Sequence, residues 1–135
     1  MSADSGHAIS AEVSLALAEK LFAAIEANDQ DMLRNEVYAA DVVVWHNNDN
    51  HEQLIDENLK VLGWLHRKVR DKRYEDVRRQ PTPTGFIEQH VLRGTAPNGT
   101  SLDISACLVV TVRDERIARI DEYLDGNALG ALTGR

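Results

Sequence analysis

Asp41-Val42-Val43-Val44-Trp45-His46-Asn47 is a β-branched run closed by an aromatic, an imidazole and an amide. Such a run makes poor helix and good strand, yet it places an ionisable group inside an otherwise apolar element. The same happens twice downstream. Glu88-Gln89-His90 lies inside Phe86–Thr95, and Glu122 lies inside Ile120-Asp121-Glu122-Tyr123-Leu124-Asp125. An acid or imidazole on a core face is costly unless it is hydrogen-bonded, paired or functional. Three strands doing this in one small domain imply a lined pocket.

Working outward from the first strand, Val13, Leu17, Leu21, Ala24 and Ile25 recur at helical spacing and predict a helix over 11–27. Asn28-Asp29 stops it and caps a second short helix carrying Met32, Leu33 and Val37. After the polar turn at Asn47–Asn50, a long helix is expected from about His51 to Val69, with Leu54, Leu59, Leu62, Leu65 and Val69 on one side. A weak, charged strand over 72–80 ends at Pro81-Thr82-Pro83-Thr84-Gly85. A meander follows: Phe86 to Thr95, a hairpin at Asn98-Gly99, Leu102 to Val112, a turn at Asp114-Glu115, and Arg116 to Asp125. One more helical turn is expected from Gly126. The order implies an α+β fold: a curved, mostly antiparallel sheet wrapped around a long helix, leaving a cone-shaped cavity. Residues 1–10 read as a disordered N-terminus and 11–135 as a single domain.

The totals narrow the function classes. A chain of 135 residues with 43% apolar and 27% charged side chains is one ordinary globular domain. The net charge of −7, and the interruption of the basic cluster Arg67–Arg73 by Asp71, argue against a nucleic-acid partner. No stretch reaches the length of a membrane-spanning helix, and Met1–Gly6 lacks the features of a signal peptide, so a cytoplasmic location is expected. The single cysteine, Cys107, sits in an apolar run and reads as a small buried hydrophobe, not a nucleophile. His51 and His66 read as surface residues of the long helix.

Strand alternation then selects the pocket face. Ile104, Ala106, Leu108, Val110 and Val112 share an apolar face that covers the core. If Phe86 and Leu92 point inward, Glu88 and His90 line the cavity with them. Ala118, Ile120, Glu122 and Leu124 share an inward face by the same argument, which turns Ile117, Arg119, Asp121 and Tyr123 outward. In the first strand the phase is open: His46 faces one way, Trp45 and Asn47 the other, and one bulge would exchange them. His46, His90 and Glu122 match a two-histidine, one-carboxylate metal set. No His-x-His pair accompanies them, so neither a metal nor an organic cofactor is expected. The plainer alternative is that the histidines are satisfied core residues, with Glu122 as a structural partner.

With these residues in view, the chain resembles the nuclear transport factor 2-like (NTF2-like) superfamily in its SnoaL-like branch, beside ketosteroid isomerases, limonene-epoxide hydrolases and scytalone dehydratases. The resemblance spans Leu21 to Leu132. It is carried by Tyr38-Ala39-Ala40-Asp41-Val42-Val43-Val44-Trp45-His46-Asn47 and by Arg116-Ile117-Ala118-Arg119-Ile120-Asp121-Glu122-Tyr123-Leu124-Asp125. It implies a cystatin-like α+β barrel and a small-molecule cavity, on a fold that hosts many chemistries. By that resemblance His46 stands about where the isomerases carry a proton-shuttling aspartate and the epoxide hydrolases a water-holding asparagine. His90 stands near the dehydratases' catalytic histidine, and Glu122 where the hydrolases keep an aspartate. The hydrolases' aspartate–arginine–aspartate set is missing, with Glu88 and His90 on the middle strand, which disfavours epoxide hydrolysis. Leu21-Phe22 stands where isomerases use a helix-one tyrosine. Glu26 lies near the position of the aspartate that dehydratases pair with their histidine.

The resulting expectation is a dehydratase or isomerase working by general acid–base chemistry on a small apolar hydroxy or carbonyl compound. His90, tuned by Glu122 or Glu26, removes a proton; His46, or Trp45 with Asn47, holds the oxygen. Glu88 joins the substrate-binding set, and Phe86, Leu92, Ile104, Ala106 and Leu124 form the walls. Histidine suits such chemistry because it titrates near neutral pH, and general acid–base help contributes ~10²–10⁴-fold. The rivals are a non-catalytic ligand- or partner-binding module and a structural dimer. The outward face, with Ile117, Tyr123 and Val109, predicts a homodimer through the sheet.

Overall fold

The computed structural model describes residues 9–133. Helix α1 spans Ala11–Ala27, and its inward stripe is Leu17, Ala18, Leu21, Phe22, Ala24 and Ile25. Ser10 caps it by accepting a hydrogen bond from the Val13 amide (3.1 Å), and Asn28, at φ 54°, ends it in the left-handed region that asparagine tolerates. Asp29 caps the next turn, α2 (Gln30–Met32), which runs into a π-helical turn over Leu33–Val37 with Leu33 and Val37 buried. Helix α3 covers Ile55–Lys68, with Asp56 and Glu57 at its start and His66, Arg67 and Lys68 at its end, matching the helix dipole.

The strands are β1 (Tyr38–His46), β2 (His51–Gln53), β3 (Arg70–Thr82), β4 (Gly85–Thr95), β5 (Ser101–Arg113) and β6 (Arg116–Leu124). They form one mixed sheet in the order β2-β1-β6-β5-β4-β3; β1 and β6 run parallel and the other neighbours antiparallel. The sheet is open and curved, edged by β2 and β3, so it does not close into a barrel. Two bulges in β3, at the left-handed residues Asp71 and Asp76, break its pairing with β4. Helix α1 packs on β3 and β4 and α3 on β1, while a 3₁₀ segment over Gly126–Thr133 packs on β5. At Gly85, a Cβ would lie 2.0 Å from the Val110 carbonyl oxygen. Only glycine allows the chain to pass so close to β5 there.

Three expectations are corrected. Residues 51–53 form β2, not the first turn of the long helix, because Gln53 and His51 pair with Val44 and His46 on β1. Ile117 is fully buried rather than outward-facing: pairing slips between Thr111↔Arg119 and Val112↔Ile117, which turns Ile117 into the core beside Ile120. The predicted disordered segment falls mostly on residues 1–8, outside the described residues, but Ile9 donates its amide to the Pro83 carbonyl (2.7 Å) and Ser10 serves as the cap.

Candidate active site

Sheet register brings the distant sequence signals to one level. His46 on β1 pairs with Glu122 on β6, Glu122 with Leu108 on β5, Leu108 with Glu88 on β4, and Glu88 with Arg79 on β3. The two carboxylates thus share one cross-strand row with a single strand between them, a backbone separation of about 10 Å at ordinary strand spacing. His90, two residues beyond Glu88, sits on the same face of β4.

At the β4 pole, Glu88 is completely buried. One of its oxygens accepts from Arg79 Nε, and the other meets His90 Nδ1 at 2.7 Å. A carboxylate only accepts, so Nδ1 donates to Glu88, and Nε2 is the ring nitrogen left for the cavity that His90 lines. The imidazole is held edge-on by Phe22 (ring centroids 5.1 Å apart) and against Tyr74 (4.5 Å). The Arg79 guanidinium, over the Phe22 ring, balances the buried carboxylate. The partner of His90 is therefore Glu88, not Glu122 or Glu26. Glu26 lies outside the cavity wall, where its carboxylate accepts from the Tyr74 backbone amide (2.9 Å).

At the β1 pole, His46 Nε2 lies 2.9 Å from Glu122 Oε1, the side chains 16% and 21% exposed. Burial opposes a charge on His46; the hydrogen bond and charge of Glu122, helped by Asp49, outweigh it and raise the imidazole above its ordinary value. His46 and Glu122 both line the cavity, which settles the open phase of β1: Val42, Val44 and His46 point inward. Trp45 and Asn47 consequently lie off the wall. The Trp45 indole N–H donates to Asn50 (2.8 Å), its ring packs against Tyr123, and the Asn47 side chain accepts from the Leu124 amide (2.9 Å).

Both poles open into one cavity of about 440 Å³. Leu92, Ile104, Ala106 and Leu124 line it as expected; Phe86 and Glu88 are packed behind its surface. Leu21, Phe22, Trp64, Leu65 and Leu132 complete an apolar lining. No lysine or arginine is among the lining residues, and among the described residues no group of three or more histidine, cysteine, aspartate or glutamate side chains has metal-holding geometry.

Six polar wall residues escaped the sequence reading: Tyr38, Asn48, Asp49, Gln53, Asn58 and Tyr74. The Tyr38 hydroxyl donates to Asn58 Oδ1 (2.8 Å) and Asn58 Nδ2 donates to Gln53 Oε1 (3.0 Å). Burial, then the charge of Glu122, raises the pKa of both phenols, with further carboxylates acting on Tyr74, so both stay protonated. The available signal was weak: Tyr74 is the one aromatic in a charged strand, and Asn58 is a polar interruption on the apolar stripe of α3.

Similarity searches place this architecture. A protein from Burkholderia xenovorans described as NTF2-like shares 18% identity, with a TM-score of 0.77 over 92% of this chain and 98% of the other. The fold is NTF2-like. A candidate SnoaL-like polyketide cyclase from Shewanella denitrificans matches with 16% identity and a TM-score of 0.68, over 91% and 98% of the two chains. A candidate isomerase from Bacillus subtilis matches with 14% identity and a TM-score of 0.76, over 91% and 94%. No family model and no curated protein sequence matches. The fold thus has structural counterparts, while the combination of two imidazole–carboxylate pairs must be read from this chain. No described helix is long and apolar enough to cross a membrane.

Proposed function

We propose that the protein is a general acid–base catalyst that isomerises or dehydrates a neutral, largely apolar hydroxy-ketone or enone. The observation that carries this is the buried Glu88–His90 pair, which engages Nδ1 and leaves Nε2 available on a residue lining an apolar cavity. His90 Nε2 takes a proton from a C–H conjugated to the carbonyl, and the electron pair moves into an enolate or dienolate. His46, biased toward its protonated form by Glu122, donates to the developing oxyanion. The protonated His90 then returns the proton to a different carbon, giving isomerisation, or to a departing β-hydroxyl, giving dehydration and water. Among the described residues no lysine or arginine lines the wall, while Asp49 and Glu122 do, which favours a neutral substrate over a carboxylate or phosphate. His46 on β1 and His90 on β4 stand three strand spacings apart in the curved sheet, which suits a molecule whose acidic C–H and oxygen lie at opposite ends.

The test is solvent-deuterium exchange, followed by NMR, into a panel of cyclic enones and hydroxy-ketones. Catalysed exchange by the wild type and its fall by ~10²–10⁴-fold in His90→Ala are expected. Unchanged exchange in His90→Ala removes His90 as the base. A ligand-binding module of the same shape would bind members of the panel without catalysing exchange.

A homodimer through the outer sheet face belongs to this proposal. Without Ile117 that face still exposes Val109 (40%), Tyr123 (50%) and Val77 (43%). Light scattering at micromolar concentration is expected to give twice the chain mass, and Tyr123→Lys to shift it toward the monomer.

A further inference from the structure

The two catalytic poles leave one polar cluster of the cavity unused. Tyr38, Asn58 and Gln53 come from the start of β1, the first turn of α3 and the end of β2, and each is at least nine-tenths buried. Their hydrogen bonds run in one direction. The Tyr38 hydroxyl gives its proton to Asn58 Oδ1, so the Asn58 amide presents Nδ2 to Gln53 Oε1. With Oε1 committed, the Gln53 Nε2 hydrogens are turned away from the relay. They find no hydrogen-bond partner among the described residues, although Gln53 lines the cavity. Among the described residues the fully enclosed side-chain polar atom without a partner is Ser14 Oγ, so Gln53 Nε2 keeps access to the cavity, where a ligand acceptor can pair it. Gln53 pairs with Val44, two residues from His46, so it stands beside the oxygen-binding pole and across the sheet from His90.

We propose that Gln53 binds the substrate's carbonyl oxygen through Nε2–H, with Tyr38 and Asn58 as positioning residues that fix the amide's polarity. The consequence is specificity: this pole selects a hydrogen-bond acceptor, a ketone or enone oxygen, over an apolar group of the same shape. The inference rests on the acid–base reading for its place in catalysis, but it is testable by binding alone.

Calorimetric titration with 2-decalone and its methylene analogue, in which C=CH₂ replaces C=O, supplies the probe pair. Wild type is expected to prefer the ketone by about tenfold, the worth of one neutral hydrogen bond in a dry site. Gln53→Met is expected to lower the preference severalfold, leaving only the share His46 supplies, while retaining the methylene analogue. Tyr38→Phe removes the donor that sets the relay and frees the amides to flip. It is expected to lower the ketone preference while still binding 2-decalol, whose hydroxyl both donates and accepts. Circular dichroism of each variant checks folding, and Tyr38→Phe keeps the question answerable if Gln53→Met unfolds. Equal wild-type affinity for the two ligands, or a full ketone preference in either folded variant, overturns the inference. In His90→Gln the preference should persist. Deuterium exchange absent from wild type with ketone preference intact defeats the catalytic reading alone; exchange present with no ketone preference defeats the carbonyl site alone.

Discussion

The two imidazole–carboxylate pairs in this cavity use the same chemical groups and differ in how they are built. Glu88 and His90 are two residues apart on one face of one central strand, wholly enclosed, with Arg79 behind the carboxylate. His46 and Glu122 meet across two parallel strands, partly open to solvent, with Asp49 rather than a cation nearby. Enclosure and a counter-charge make the first pair a rigid device with one tautomer. Partial exposure and excess negative charge make the second responsive to pH. A cavity with one fixed acceptor and one chargeable donor can move a proton in a defined direction.

The widest gap between the pairs should appear on removing a carboxylate. Glu88→Ala leaves Arg79 and His90 without their shared partner and is expected to cost about 3–5 kcal/mol, read by denaturant unfolding. Glu122→Ala should cost about 1 kcal/mol, since its pair is partly solvated. Equal losses would erase the structural distinction. Next comes the kinetic split. His46→Ala, which removes a charge-assisted donor but not the base, should slow deuterium exchange by about 10–100-fold, less than His90→Ala. A larger effect at His46 would exchange the two roles.

The smallest effect is the pH dependence. The folded-state pKa of His46 is raised above its unfolded value, so the pair's contribution to stability is fully present below the ordinary imidazole value of 6.5. It is lost as pH rises through the raised folded value. The gap in melting temperature between wild type and Glu122→Gln should be widest below pH 6.5 and shrink as the pH rises above it. A gap that widens with pH contradicts the sign of the shift.

Much of this was legible before any coordinates. Helix α1 and the meander β4–β6 follow from spacing alone, because a 3.6-residue stripe and a two-residue alternation each bury one face. His46, His90 and Glu122 stood out because ionisable groups inside apolar strands are expensive. The partner of His90 did not. Alternation places Glu88 on the cavity face as a substrate contact, but nothing local marks it over Glu26 or Glu122 as the partner of His90. What singles Glu88 out is Arg79, whose pairing across β3 lets that carboxylate be fully enclosed. Residues 51–53 are too few to carry the propensity that would announce β2, a strand that exists only by pairing with β1.

The sequence by itself determined the α+β class, the extent of most elements and the presence of ionisable groups on inward faces. Period and burial cost are local properties that residues within one element already carry. Tertiary structure alone decided the phase of His46, the inward turn of Ile117 and the pairing of Glu88 with His90 and Arg79. It also assembled Tyr38, Asn58 and Gln53 into one relay. Each of these depends on register between segments far apart in the chain, and one slipped residue reverses every side chain beyond it.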